Sequence, residues 1–243
     1  MQERDIVTKN LARLRHNPYP GRGLIIGRAE QDDAWLMLYW IMGRSESSRN
    51  RRLVASAHGK LKTEPLDESK VADPALLIYE VMLELPGLYL VGNGDQTRTL
   101  YDMLSSGGTF TAAMALRERE PDAPHFTPRI TGLLDLRDPS PQLTLSLLKA
   151  NPFNSELTDR YTFRLAPPPP GCGVGLTTYM DDASPLPAFT GDPLALPLPG
   201  SAQDILHMYW DVLNADNRVS LAVKRIPTNG ESSEILIRNR TPL

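Results

Sequence analysis

Cysteine is almost absent from this sequence of 243 residues: Cys172 stands alone, so no intrachain disulfide can form. That is compatible with a reducing compartment. The first ten residues, MQERDIVTKN, lack the apolar stretch of a secretory signal. The longest apolar run, residues 35–42, is far too short to cross a bilayer. A cytoplasmic protein with no membrane partner is expected. The net charge of −3 leaves no basic excess, which argues against broad non-specific binding to nucleic acid. It leaves room for a compact anion pocket, which depends on local charge. The four histidines, His16, His58, His125 and His207, have no metal-ligand spacing, and no cysteine pair accompanies them. There is no phosphate-binding P-loop and no G-x-S-x-G elbow. Gly21-Arg22-Gly23 runs on to Gly27 inside an apparent strand, which is not a dinucleotide fingerprint. Internal repeats and heptads are also missing.

Proline, by contrast, is abundant, with 22 residues that include the run at 167–170 and five between 184 and 199. Such density stiffens connections and interrupts regular elements. Short apolar or alternating runs predict strands at 23–27, 34–42, 53–57, 88–91, 142–148, 161–165, 173–179, 219–223 and 235–237. The first two are expected to pair through the polar turn at 31–33. Helices are expected over 3–15, 97–104, 110–119 (capped by Thr109 and stopped by Pro121) and 202–213. Asp73-Pro74 is a good helix start, yet the residues after it are apolar enough for a strand, so 73–85 stays open between the two. Strands in runs with helices between them imply an α/β chain of the α+β type: a single domain over 1–243, with mainly antiparallel sheets and helices on the outer faces.

Three segments carry candidate chemistry. Residues 43–52 (GRSESSRNRR) place four arginines and three serines between two strands. Guanidinium forks match phosphate oxygens, and hydroxyls add neutral donors. A solvated charged loop fits the composition equally well. Residues 92–97 (GNGDQT) end a strand and precede a helix, where free amides hold anions and side-chain amides read a base edge. A plain Asn-Gly turn is the simpler alternative. Glu118, Glu120 and Asp122 form a carboxylate cluster at a helix end, any of which would serve as acid or base if buried beside a substrate; an exposed helix terminus is the simpler alternative. Thr127-Pro128-Arg129 then leads into a strand.

Together the segments NPYPGRG (17–23), YWIMGRSESSRNR (39–51), DPALLIY (73–79), VGNGDQT (91–97) and EPDAPHFTPRITG (120–132) resemble the archaeal-type IMP cyclohydrolase family in its bacterial branch. The resemblance covers most of 17–132. It implies a four-layer αββα sandwich similar to N-terminal-nucleophile hydrolases but without their nucleophile, since the chain opens Met1-Gln2. It implies closure of 5-formamidoimidazole-4-carboxamide ribonucleotide to IMP with loss of water, no metal or organic cofactor, and a homo-oligomer. Arg51, Tyr79, Asn93 and Glu120 take catalytic roles by resemblance. Arg51 would steady the formyl oxygen, Glu120 would move the proton, Tyr79 would donate to the base or intermediate, and Asn93 would orient the carboxamide. Arg44, Ser45, Asn50, Gly94, Asp95, Thr97, Thr127 and Arg129 are the expected substrate contacts. Arg119 stands where the resemblance implies an aromatic, and it is expected to pair with Glu120 and lower its pKa. A divergent purine-nucleotide binder on the same scaffold is the alternative.

Overall fold

The computed structural model describes residues 2–31, 33–56, 59–71, 74–229 and 231–240. Asp73 of the expected helix start, Ala57 of the strand expected over 53–57, Asp32 of the expected turn, and His58 lie outside the described residues.

Two antiparallel sheets form the centre. Strands β1 (Gly23–Arg28), β2 (Ala34–Met42), β10 (Cys172–Thr177), β11 (Leu194–Pro197), β12 (Arg218–Pro227) and β13 (Glu234–Asn239) build a six-stranded sheet in the order β11-β10-β1-β2-β12-β13. Strands β3 (Arg52–Ser56), β4 (Lys60–Glu64), β5 (Glu80–Leu85), β6 (Leu88–Gly92), β7 (Arg129–Asp135), β8 (Gln142–Ala150) and β9 (Thr158–Leu165) form a seven-stranded meander in sequence order.

Helices cover the outer faces. α1 (Gln2–His16) packs on β11, and α6 (Ala202–Val212) packs on β12 and β13. α4 (Gln96–Ser105) lies on β5, β6 and β7, with α5 (Phe110–Ala115) against α4 and β9. The layers therefore run helices, sheet, sheet, helices, each burying one apolar face against the next. Two further short turns, α2 (Glu46–Arg49) and α3 (Pro74–Leu77), sit in connections.

β2 shows why a continuous apolar run makes a strand here. All nine of its residues are buried, because successive side chains face opposite sides and both sides are covered. Tyr39 points between the sheets, where its hydroxyl meets that of Tyr79, the residue before β5 of the other sheet. Its neighbour Trp40 points outward and stacks on Tyr209 of α6, with ring centroids 6.4 Å apart. Opposite Trp40 in the β1–β2 register lies Gly23. A Cβ there would come within 1.9 Å of the indole, so the strand pair accepts only glycine at that place.

Several expectations change. The helix expected over 110–119 ends at Ala115. Its buried face is Phe110, Ala113 and Met114, and Leu116 beyond it is exposed. Arg117, Glu118 and Arg119 are instead drawn to Asp95, Arg160 and the Ser155 carbonyl, which extends the chain. Residues 43–52 are not all loop: Ser45 and Ser48 form a reciprocal capping box around the single turn α2. Residues 74–85 divide into the turn α3 and the strand β5, so both readings of that stretch find a place. Strands β4 and β11 carry no strong pattern of their own and arise from pairing with their neighbours.

Candidate functional site

The seam between the sheets opens into a cavity of about 440 Å³. One wall comes from the β2–β3 connection and the chain entering β1. Arg44, Ser45, Ser47, Ser48 and Arg51 come from the first, and Tyr19 and Arg22 from the second. The other wall comes from the segment after α5, with Glu120, Asp122, His125 and Thr127, and from Tyr179 and Leu186 of the proline-rich stretch. Leu77 completes the lining.

On the basic wall Arg22 and Arg51 form no ion pair among the described residues, whereas Arg44 has one. Arg51 is buried, at 5% exposure. Its Nε donates to the Ser48 carbonyl at 2.9 Å, while its Nη1 is buried with no hydrogen-bond partner. Partly buried Arg22 likewise has an unpartnered Nε. Burial, and next the neighbouring Arg22, press the Arg51 guanidinium below its ordinary pKa. Two adjacent guanidiniums with free N–H groups leave a deficit that an anion would fill. Arg44 lies over the Tyr19 ring at 4.7 Å and pairs with Asp182. Tyr19 in turn stacks on Tyr179 at 6.0 Å.

The other arginines of the run turn elsewhere. Arg49 donates to the Gly43 carbonyl at 2.9 Å, and Arg52 pairs with Glu64 across the β3–β4 ladder at 3.3 Å. Asn50 does not line the cavity. Its amide exchanges hydrogen bonds with the Asp67 backbone at 2.7 and 2.8 Å, which pins the loop.

Glu120 is the buried carboxylate of the site, at 4% exposure. Burial pushes its pKa above the ordinary value, aided by Asp122 and Asp95, in spite of Arg129 and Arg22. Arg119, expected to pair with it, does not. Its guanidinium donates to the Ser155 carbonyl at 2.7 and 2.9 Å and stacks over Phe126 at 4.2 Å. The expected lowering of the Glu120 pKa is thereby reversed. The cation beside Glu120 is Arg129, 3.0 Å away.

The residues of 92–97 hold Arg129 rather than lining the cavity. Asn93 spends its side chain on the β7 entry. It donates to the Pro128 carbonyl at 2.9 Å and accepts from Gln96 and from the Ile130 amide. Gln96 then presents its oxygen to Arg129 Nη1 at 2.7 Å, and Asp95 meets the same nitrogen at 2.6 Å. Thr97 donates to the Gly94 carbonyl. Gly94 is a close approach: a Cβ there would lie 2.7–2.8 Å from Arg129, Gln96 and Glu120.

Thr127 joins the acidic segment to Tyr179. Its backbone N–H and its hydroxyl both donate to Asp122, and its Oγ1 lies 2.6 Å from the Tyr179 hydroxyl. Burial pushes the Tyr179 phenol up to about 12, against the pull of Arg22. His125 Nδ1 accepts the Leu186 amide at 3.3 Å, which places the proton of the neutral ring on Nε2. Tyr79 stands behind the cavity wall, hydroxyl to hydroxyl with Tyr39 at 2.8 Å.

Of the residues singled out by sequence, Arg44, Ser45, Arg51, Glu120 and Thr127 thus line one cavity. Tyr79, Asn93, Gly94, Asp95, Thr97 and Arg129 stand behind it. Arg22, Tyr19, Tyr179 and Leu186 also line it and are not marked by the sequence, although Tyr19 and Arg22 lie within the segment 17–23. No group of three or more His, Cys, Asp or Glu side chains suited to a metal ion occurs among the described residues. No helix among them is long and apolar enough to cross a membrane.

The model of the IMP cyclohydrolase-like protein family matches residues 19–230, which is most of the chain and includes every residue lining the cavity. The chain belongs to the IMP cyclohydrolase-like family. No curated protein matches it. Within this family member α1 lies outside the matched span and the cavity walls lie wholly inside it.

Proposed function

We propose that the protein closes 5-formamidoimidazole-4-carboxamide ribonucleotide to IMP with release of water, in purine synthesis. The observation that carries this reading is the pairing, in one cavity, of two guanidiniums that each keep a buried, unpartnered N–H with a buried carboxyl of raised pKa. Arg22 and Arg51 meet the negative charge of the substrate. That charge sits on the phosphate and, as the ring closes, also on the former formyl oxygen. Ser47 adds a neutral donor, since the Ser45 hydroxyl donates to that of Ser48 and the Ser48 hydroxyl to the Ser45 carbonyl, and the cavity size suits a mononucleotide.

Ring closure needs the carboxamide nitrogen held against the formyl carbon, which confinement between the two walls supplies. As the N–C bond forms, the formyl π electrons move to oxygen and the carboxamide nitrogen loses a proton to Glu120. Glu120 passes that proton to the oxygen, which gives a ring hydroxyl and leaves Glu120 as the carboxylate. Glu120 then takes the proton of the former formamide nitrogen and delivers it to the hydroxyl, so that the C–O bond breaks, water leaves and the C=N bond forms. A carboxylate whose pKa is raised above the ordinary value is a stronger base than a free one, which suits the proton-accepting steps of this cycle. Arg129 orients it.

The test is a cyclisation assay followed by ultraviolet absorbance. Wild type is expected to turn over and Glu120→Gln to lose at least about a hundredfold in kcat. Equal turnover in the two proteins would overturn the role of Glu120. A wild type that binds IMP without turnover would favour a purine-nucleotide binder on the same scaffold.

A further inference from the structure

Hydroxyl groups along one wall of the cavity fix the direction in which its protons point. Asp122 ends the chain. Its Oδ1 accepts the Thr127 backbone N–H at 2.6 Å, and its Oδ2 accepts the Thr127 hydroxyl. A threonine hydroxyl has one proton, and the carboxylate claims it. Tyr179 Oη, 2.6 Å from Thr127 Oγ1, is then the donor in that contact. Its single proton is committed, and only lone pairs remain on the phenolic oxygen. Tyr179 is buried and held flat by its stack on Tyr19. With Glu120 and Asp122 beside it, this wall presents acceptors, whereas the wall of Arg22, Arg44, Arg51 and Ser47 presents donors.

We infer that Tyr179 is a specificity-determining acceptor that selects an amide-type N–H on the ligand, namely the N1–H of a hypoxanthine ring and the carboxamide N–H from which that ring is closed. The inference rests on the nucleotide reading given above and adds which edge of the base meets the wall formed by 120–127 and Tyr179. A ligand with a lone pair at that position is rejected, because two acceptors would face each other in a buried place.

Asp122→Asn inverts the polarity without changing shape. The Thr127 backbone N–H keeps the amide oxygen where Oδ1 was, so the amide nitrogen takes the place of Oδ2 and donates to Thr127. The Thr127 proton turns to Tyr179, and the phenolic O–H turns into the cavity. IMP binding is measured by calorimetry on wild type, Tyr179→Phe, Asp122→Asn and the double variant. In the wild-type background Tyr179→Phe is expected to weaken IMP about tenfold. In the Asp122→Asn background, itself weaker by a similar factor, the same change is expected to restore affinity, since it removes a donor facing a donor. Loss by an equal factor in both backgrounds would overturn the inference while leaving nucleotide binding intact. A wild type that does not bind IMP would overturn both. If Asp122→Asn does not melt cooperatively, Thr127→Ser and Thr127→Val replace it. Serine is expected to keep wild-type affinity and valine to lose it, and equal affinity in these two would overturn the inference.

Discussion

Arg51 holds charge in a place where stability alone would put none. Burying a cation without a counter-ion costs free energy that an apolar side chain of similar size does not. Arg51→Met is therefore expected to leave the melting temperature unchanged or higher while impairing ligand binding. Glu120 carries a related cost with a definite sign. Its pKa is raised on folding, so the native state holds its proton more firmly than the unfolded chain does. The stability this contributes is full below the ordinary glutamate pKa and is lost as pH rises through the raised folded value. Glu120→Gln is thus expected to melt higher than wild type at neutral pH, with the gap closing in acid; a lower melting temperature at neutral pH would contradict the assignment. The charged run at 43–52 was legible in the sequence, but its facing was not. Arg51 enters the cavity and Arg49 turns back to Gly43, although only two positions separate them, because Arg49 ends the turn shaped by the Ser45–Ser48 box and Arg51 lies beyond its cap. Tyr179 gave no local signal at all, because it reaches the site through the pairing of β10 with β1.

The elements work as mounts. The turn 92–97 was read from sequence as a possible ligand contact, since strand end, glycine and helix start sit together there. In the fold the same features make it the bracket that seats Arg129 against Glu120. Gly94→Ala tests the bracket. The added methyl would meet three polar atoms at 2.7–2.8 Å, and the shift is expected to cost about 1–3 kcal/mol in urea unfolding and to lower kcat more than it raises KM. Unchanged kinetics with the stability loss would show that the bracket does not govern Glu120. The strands of the six-stranded sheet were largely visible, because their apolar runs are short and bounded. The end of α5 was not, because the side-chain anchors that unwind 116–119 lie on β9, its connection and α4.

At the scale of the molecule, two sheets must stay in register for the cavity walls to meet. An ion pair with its lysine buried and its carboxylate partly exposed helps: Lys224 of β12 reaches Glu84 of β5, and also donates to the Gly59 carbonyl at 2.7 Å. Lys224 is fully buried, so Glu84→Ala strands its charge and is expected to lower stability by roughly 3 kcal/mol. Glu84→Ala with Lys224→Met should recover most of that loss in the same urea titration. The class of fold followed from strands arriving in runs, which excludes a doubly wound sheet. The cavity did not follow, because it exists only where segments 19–22, 44–51, 120–127 and 179–186 converge. The most direct test of the account is a calorimetric titration of IMP and of inosine into wild type and Arg51→Met, with melting temperatures taken on the same samples. The account expects IMP to bind wild type far more tightly than inosine does, and to lose about 10–100-fold in Arg51→Met with no fall in melting temperature. Equal affinity for IMP in the two proteins, or equal affinity of wild type for IMP and inosine, would contradict it.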